Sequence, residues 1–146
     1  MKEKSLRLLG IDYGDARIGL ALSDPSQTLA SPFQVVRTQK NLTDTVGALL
    51  EATQAYTFEK IVVGLPLLLS GKESAMTTSV RTFATFLEEK SGLSVILQDE
   101  RLTSREVERV LKASNLKRKA RARHLDTLSA TLILQTYLDA SRVKVP

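Results

Sequence analysis

The first part of the chain consists of short apolar runs separated by turn-forming residues. The runs LRLLGIDYG (6–14) and RIGLALSDP (17–25) are β-compatible, and FQVVRT (33–38) alternates weakly between apolar and polar positions. The pair Asp24-Pro25 is a turn signal that ends the second run. Three runs this close together predict an antiparallel meander of three strands.

Beyond residue 40 the apolar positions change to helical spacing. Asn41 suits the N-cap of a helix, and the residues that follow it at helical spacing are Leu42, Val46, Leu49, Thr53 and Tyr56. This pattern predicts a helix that extends as far as Tyr56.

The rest of the chain alternates between strand-like runs and helical spacing. KIVVGLP (60–66) and LSVILQDE (93–100) predict strands. One helix ends near Gly92, a second follows a capping box at 103–106, and a third closes the pattern. Their apolar positions are, in turn, Met76, Val80, Phe83 and Leu87; Val107, Val110 and Leu111; and Leu125, Leu128, Leu132 and Leu138. The order β-β-β-α-β-α-β-α-α predicts an α/β fold with a mixed five-stranded sheet, antiparallel in its first three strands and parallel in the remainder, flanked by helices.

Composition restricts the class of protein only moderately. The length of 146 residues suits a single domain over residues 1–146. The absence of cysteine excludes disulfides and thiolate metal sites. No apolar run reaches the roughly 18 residues of a transmembrane helix and the N-terminus lacks the apolar segment of a cleaved signal, so we expect a cytoplasmic protein with no membrane partner. The formal net charge of +5 permits a polyanionic partner without requiring one.

Three acids differ from the others, most of which lie among polar residues on predicted helices. Asp12 lies within the first strand, Glu100 follows the apolar run of the last strand, and Asp126 opens the predicted last helix. Functional sites in α/β sheets gather at strand ends, and carboxylates that met there would repel one another unless a cation lay between them. Oxygen ligands suit Mg²⁺ or Mn²⁺, and two such ions about 4 Å apart can clamp a phosphodiester.

The neighbouring acids Asp99 and Glu100 compete for the second position of this site. Consecutive residues of an extended chain point to opposite faces, so at most one of them enters the site. The apolar run 95–97 does not decide which one, because a strand covered on both faces lacks clean alternation.

Four blocks of the sequence together resemble one known family. GIDYGDARIGLALSD, IVVGLP, DERLTSREVE and LDTLSATLILQTYLD follow one another over nearly the whole chain, and they are similar to the YqgF family, also called RuvX. The resemblance implies a ribonuclease H-like fold, a role in maturing the 5′ end of the small-subunit ribosomal RNA precursor and, by analogy, junction cleavage. It also implies that Asp12, Glu100 and Asp126 are the catalytic and metal-binding acids, which selects Glu100 over Asp99.

This sequence departs from the family pattern at three places. Ala16 stands where a basic residue often precedes the arginine of the first block. The loop after GLP reads Leu67-Leu68-Leu69, which is more apolar than the family pattern and puts substrate contacts from this loop in question. Ser129 replaces a common alanine, which is a small change.

Basic residues near the three acids are candidates for phosphate contacts. Arg17 follows the first acid and Arg101 follows Glu100, and a guanidinium can bind a phosphate through two hydrogen bonds. The alternatives are an ion pair of Arg17 with Asp12 or Asp24, and a role for Arg101 in steadying Glu100. The residues predicted to bind nucleic acid are Arg17, Lys72, Arg101, Lys117, Arg118, Lys119, Arg121 and Arg123.

The stretch KRKARAR (117–123) contributes most of these cations. A solvated basic loop is the usual explanation of such a run, but its position just before Asp126 favours binding of the phosphate backbone. Lys72 precedes a predicted helix, whose first N–H groups attract anions, although a flexible turn is the commoner explanation. Aromatic residues make up 5% of the chain and tryptophan is absent, so shape and phosphate contacts are favoured over base stacking. The single histidine, His124, is expected to be a surface residue.

These features favour a metal-dependent nuclease, and the family resemblance implies that it acts in 5′-end processing of precursor 16S rRNA. The alternatives are a Holliday-junction resolvase and a non-catalytic nucleic-acid-binding factor of the same fold. The Asp-x-Gly start also resembles the phosphate-binding turn of actin-like ATPases, but 146 residues are too few for two such domains and no Walker motif is present. The expected partner is structured RNA or branched DNA, and a symmetric junction would suit a homodimer, for which the sequence shows no signature.

Overall fold

The computed structural model of the protein describes residues 6–101 and 118–142. It contains five strands and three helices within these ranges: β1 (Leu6–Tyr13), β2 (Arg17–Ser23), β3 (Ala30–Arg37), α1 (Leu42–Ala52), β4 (Thr57–Leu65), α2 (Ala75–Ser91), β5 (Ser94–Asp99) and α3 (Arg118–Arg142). The helix predicted from Val107, Val110 and Leu111, with its capping box, lies outside the described residues.

The strands form one mixed sheet in the order β3-β2-β1-β4-β5. The pairs β1–β2 and β2–β3 are antiparallel, whereas β1–β4 and β4–β5 are parallel. The predicted sheet is therefore confirmed, with the first strand of the chain at its centre. Helices cover both faces of this sheet, which explains why the apolar runs of the inner strands show little alternation.

Two apolar clusters separate the faces of the sheet. Leu9 and Ile11 of β1 point into the cluster that α1 and α2 cover. Leu8 belongs to the second cluster, which contains Ala130 and Leu134 of α3. Because side chains alternate along a strand, Asp12 lies on the same face as Leu8. The α3 face of the sheet is therefore where a site built on Asp12 has to form.

The first helix is shorter than its apolar spacing predicts. Asn41 is its N-cap, as expected, with Oδ1 accepting a hydrogen bond of 2.8 Å from the backbone N of Asp44. The helix ends at Ala52, so the prediction that it reaches Tyr56 is wrong. Tyr56 instead contacts Phe33 edge to face, with ring centroids 5.6 Å apart, immediately before β4 begins. The ring of Tyr56 therefore packs in this aromatic contact and is not part of the apolar face of a helix.

The last helix begins earlier than predicted. It starts at Arg118, so the stretch 118–123 is helical rather than a loop, and Asp126 lies in the third turn of α3 rather than at its head. Lysine, arginine and alanine are all good helix formers, but the apolar spacing that signals the helix begins only at Leu125. Although α3 is long, no helix among residues 6–101 and 118–142 is both long and apolar enough to cross a membrane.

Candidate active site

Asp12 is brought to Asp126 by close packing between α3 and β2. Asp12 pairs with Gly19 in the β1–β2 ladder. A Cβ atom on Gly19 would overlap the backbone carbonyl oxygen of Asp126, so the glycine lets the helix backbone rest directly on the strand. The α3 backbone at Asp126 is thereby fixed next to the Asp12–Gly19 pair.

A second glycine makes room for Glu100. The backbone N of Glu100 donates a hydrogen bond of 3.2 Å to the carbonyl of Leu65, which continues the alignment of β5 with β4 by one residue. Its side chain then lies over Gly64, where a Cβ atom would overlap both Glu100 Oε2 and the side chain of Ile133. The carboxylate of Glu100 consequently lies between β4 and α3, on the face that carries Asp12.

The register of β5 separates Glu100 from Asp99. Val95 and Leu97 pack against the cluster under α1 and α2, so Asp99 follows them by alternation. Asp99 is partly exposed and pairs with Arg101, whose Nε lies 2.8 Å from Asp99 Oδ2. The structure thus places Glu100 on the face that carries Asp12 and turns Asp99 to the other face.

The surroundings of Asp12 and Glu100 disfavour their charged forms. Burial and, to a smaller extent, the carboxylate of Asp126 raise the pKa of Asp12 to about 7, although a hydrogen bond with the Ser129 side chain opposes both effects. Burial also raises the pKa of Glu100 to about 8, with the charges of Asp12 and Asp99 acting in the same direction. Asp12 therefore interacts electrostatically with both of the other acids.

Asp126 differs because a cation already compensates it. Burial raises the pKa of Asp126, and the Arg17 guanidinium lowers it. Arg17 Nε lies 2.8 Å from Asp126 Oδ2. This buried oxygen accepts no hydrogen bond of good geometry from any described residue, so the charge of Arg17 is its compensation. The sequence left Asp12 or Asp24 open as the partner of Arg17, and the structure selects Asp126 instead.

The donor set of these three acids fits a hard cation. All the candidate ligands are carboxylate oxygens, one of which is buried without a hydrogen bond. As the side chains stand, no three acidic or histidine side chains within the described parts of the chain are close enough together to hold one ion. Binding would therefore need a rotation of side chains, with Asp12 placed to share a cation with either neighbour.

The predicted phosphate-binding residues fall into three groups. Arg17 lies beside Asp126. Arg101 forms its ion pair with Asp99 rather than with Glu100, and its Nη1 lies 3.5 Å from the carbonyl oxygen of Leu69. That contact places Arg101 against the turn that carries the exposed Lys72. For Arg118, Lys119, Arg121 and Arg123 the backbone is helical and the side chains are not described, whereas Lys117 lies outside the described residues.

One residue of the site is easily underestimated from the sequence. Ser129 stands out there only as a small departure from an alanine, yet its side chain is buried and hydrogen-bonds Asp12. Its spacing of three residues from Asp126 on one helix is the signal that could have identified it. The apolar Leu68 and Leu69 are exposed in the loop that Arg101 contacts.

The fold is shared with proteins that cut branched DNA. The structure matches T. thermophilus RuvC in complex with a Holliday junction substrate with a TM-score of 0.55 at 16% identity, covering 94% of this chain and 96% of that one. It matches the yeast mitochondrial Holliday junction resolvase Ydc2 with a TM-score of 0.51 at 13% identity, covering 94% and 80%. The fold is thus the ribonuclease H-like fold that the resemblance implied, and it carries the buried carboxylates of Asp12 and Glu100 on the face that α3 covers.

Sequence relatives identify one family within this fold. The profile of the RuvX family, described as Holliday junction resolvase, matches residues 6–140, and the chain belongs to this family. A Protochlamydia amoebophila protein named "Putative pre-16S rRNA nuclease" is 43% identical over 145 residues, which cover 95% of this chain and 97% of the relative. A Koribacter versatilis protein of the same name is 44% identical over 142 residues, covering 95% and 92%. The chain is accordingly a nuclease that acts on nucleic acid, and nucleases of this fold generally depend on divalent metal ions.

Proposed function

We propose that this protein hydrolyses phosphodiester bonds at the 5′ end of precursor 16S rRNA, using Mg²⁺ or Mn²⁺ held by Asp12, Glu100 and Asp126. The observation that carries the proposal is the position of Asp12 between two other acids on the α3 face, where burial and mutual repulsion disfavour three negative charges. A bound cation would relieve that repulsion. The choice of RNA substrate is supported by the names of the relatives.

Each group of the site has a distinct role in this proposal. A bound divalent ion would lower the pKa of a water molecule and offset the charge that develops on the phosphate, and two ions would suit this reaction. Asp12 and Glu100, with pKa values of about 7 and 8, would release protons when they bind the ion near neutral pH. Arg101 lies against the turn that carries Lys72, where the two cations would hold the phosphate backbone on one side of the cleaved bond.

The proposal is tested with an RNA that carries the 5′ leader of 16S rRNA. Wild-type protein should shorten the leader in Mn²⁺ or Mg²⁺ and not in EDTA. Asp12→Asn, which keeps the shape of the side chain, should abolish cleavage and weaken Mn²⁺ binding in a calorimetric titration. Asp15→Asn is a matched control, because Asp15 is exposed in the adjacent turn and the charge change is the same. Full cleavage by Asp12→Asn would refute the role of Asp12 as a metal ligand.

A second candidate is resolution of Holliday junctions. It is favoured by the description of the family and by the shared fold of RuvC. A symmetric four-way DNA junction should then be cut in preference to the leader RNA, and the protein should be a homodimer on it, because two symmetric cuts need two copies of the site. A protein that binds both nucleic acids and cuts neither, at any concentration of Mn²⁺ or Mg²⁺, would instead be a binding factor.

A further inference from the structure

Arg17 is a surface cation attached to an otherwise buried carboxylate. It is the first residue of β2 and follows a tight turn, in which a Cβ atom on Gly14 would lie 2.6 Å from the carbonyl oxygen of Arg17. Its side chain is 50% exposed, whereas that of Asp126 is 17% exposed. The guanidinium therefore approaches Asp126 from the solvent side of the site.

The two partners of this ion pair differ in how freely they can move. The backbone of Asp126 rests on Gly19, so α3 cannot withdraw the carboxylate without breaking that contact. Arg17 has a long side chain, half of which is in solvent, so its guanidinium can leave Asp126 and become hydrated without a movement of the backbone. If the pair opens, it is Arg17 that moves.

A cation bound at Asp126 and the guanidinium of Arg17 require the same oxygen. Asp126 Oδ2 is 2.8 Å from Arg17 Nε and accepts no hydrogen bond of good geometry from the described residues. A divalent ion on that oxygen would repel the arginine. A displaced guanidinium at the solvent side of the site would be able to bind a phosphate with two hydrogen bonds.

We propose that Arg17 is an exchangeable counter-ion, which neutralises Asp126 in the metal-free protein and is displaced by the metal ion to bind the phosphate backbone of the nucleic acid. The inference rests on the proposed function, because it requires a metal ion at Asp126. It adds a coupling between the two ligands: the metal ion frees the arginine for the nucleic acid, and by reciprocity the nucleic acid tightens the binding of the metal ion. Arg17 would thus couple the two binding events, so that cleavage is favoured only when the metal ion and the nucleic acid are both bound.

The first test measures metal binding without nucleic acid. Mn²⁺ is titrated into metal-free full-length protein by calorimetry for the wild type, Arg17→Gln and the control Arg37→Gln. Arg37 pairs with Arg17 in the β2–β3 ladder, is exposed and makes no ion pair within the described residues. Arg37→Gln therefore removes one positive charge, as Arg17→Gln does, without breaking an ion pair. Without the competing guanidinium, Arg17→Gln should bind Mn²⁺ about threefold to fivefold more tightly, whereas Arg37→Gln should stay within about twofold of wild type.

The second test measures nucleic-acid binding with and without a metal ion. The labelled leader RNA is titrated in EDTA and in Ca²⁺, and a gel confirms that it remains intact. In EDTA, Arg17 is held by Asp126, so Arg17→Gln and Arg37→Gln should weaken binding equally. In Ca²⁺, Arg17→Gln should lose a further factor of about ten or more, which is about the value of one charge-assisted hydrogen bond. Arg17→Lys, which keeps the charge but lacks the two-pronged contact, should recover part of that loss. Circular dichroism melting of each variant checks that it is folded.

The outcomes separate this inference from the proposed function. If Arg17→Gln binds Mn²⁺ no more tightly than Arg37→Gln, or if its loss of RNA affinity is the same in EDTA and Ca²⁺, the exchange is refuted. If the exchange is observed but wild-type protein cuts neither the leader RNA nor a junction, the exchange stands and the nuclease proposal fails. If wild-type protein binds no Mn²⁺, both are refuted.

Discussion

Replacing Glu100 with Gln should make the metal-free protein more resistant to alkaline conditions. The pKa of Glu100 is raised from 4.5 to about 8, chiefly by burial. A raised pKa means that the folded state holds this proton more tightly than the unfolded state does. The contribution of Glu100 to stability is therefore complete below pH 4.5 and is lost as the pH rises to about 8.

The size of this effect follows from the two pKa values. A change from 4.5 to about 8 corresponds to at most about 5 kcal/mol, at about 1.36 kcal/mol for each tenfold change in proton affinity. The ionised side chain can turn toward solvent, so we expect the stability advantage of Glu100→Gln over wild type to grow by about 2 kcal/mol or more between pH 5.5 and 8.5.

Urea unfolding in EDTA at several pH values measures this difference. Asp99→Asn is the control, because Asp99 is the neighbouring acid but is partly exposed and pairs with Arg101. Its charge is the smallest of the three influences that raise the pKa of Glu100, so its curve should depart only slightly from that of wild type. Asp12 titrates in the same range, with a pKa of about 7, so part of the pH dependence should persist in Glu100→Gln. If the curves of wild type and Glu100→Gln are parallel, the carboxylate of Glu100 is not held in the buried position that the structure gives it.

Three further predictions concern cleavage, packing and binding. In single-turnover assays at saturating metal and substrate, Glu100→Gln should abolish cleavage with binding retained, whereas Asp99→Asn should have a small effect; the reverse result would mean that Asp99 is the second acid. Gly19→Ala should destabilise the protein by about 1–3 kcal/mol or more and slow cleavage, because α3 has to move away from β2. Gly47→Ala, in open space on α1, should instead stabilise it by about 0.5–1 kcal/mol, and thermal melting of both variants checks the pair. Arg118→Ala, Lys119→Ala and Arg121→Ala remove cations from α3 and should weaken binding to all sequences alike. They should also reduce the slope of log affinity against log salt concentration by about one unit for each phosphate that is no longer bound. An unchanged slope would refute a role of these cations in phosphate binding.

Most of the fold was predictable because apolar runs bounded by turn signals reveal strands even when both faces are buried. The boundaries were harder to predict where the apolar spacing is uninformative. Tyr56 continues a helical period by coincidence, since its ring packs against Phe33 instead. The start of α3 at Arg118 carries no apolar spacing at all, because that part of the helix is basic.

The candidate site was predictable as a set of residue types and only partly as a geometry. The three acids stand out in the sequence, but the choice of Glu100 over Asp99 depends on the register of a strand covered on both faces. The pairing of Arg17 with Asp126 and the contact of Ser129 with Asp12 depend on how α3 lies across the sheet. These contacts join residues that are far apart in the sequence. A single sequence does not show which distant residues lie close together in the fold.

The position of α3 has a consequence for the timing of activity during synthesis. A nascent chain that has emerged only as far as Glu100, just after β5, carries Asp12 and Glu100 but lacks Asp126 and the helix that covers Gly19. Contacts such as the hydrogen bond of 2.8 Å from Ala30 N to Gln135 Oε1 span 105 positions, so they close only after the helix has left the ribosome. A protein whose proposed substrate is ribosomal RNA would therefore be inert toward the RNA around it until its own translation had passed α3.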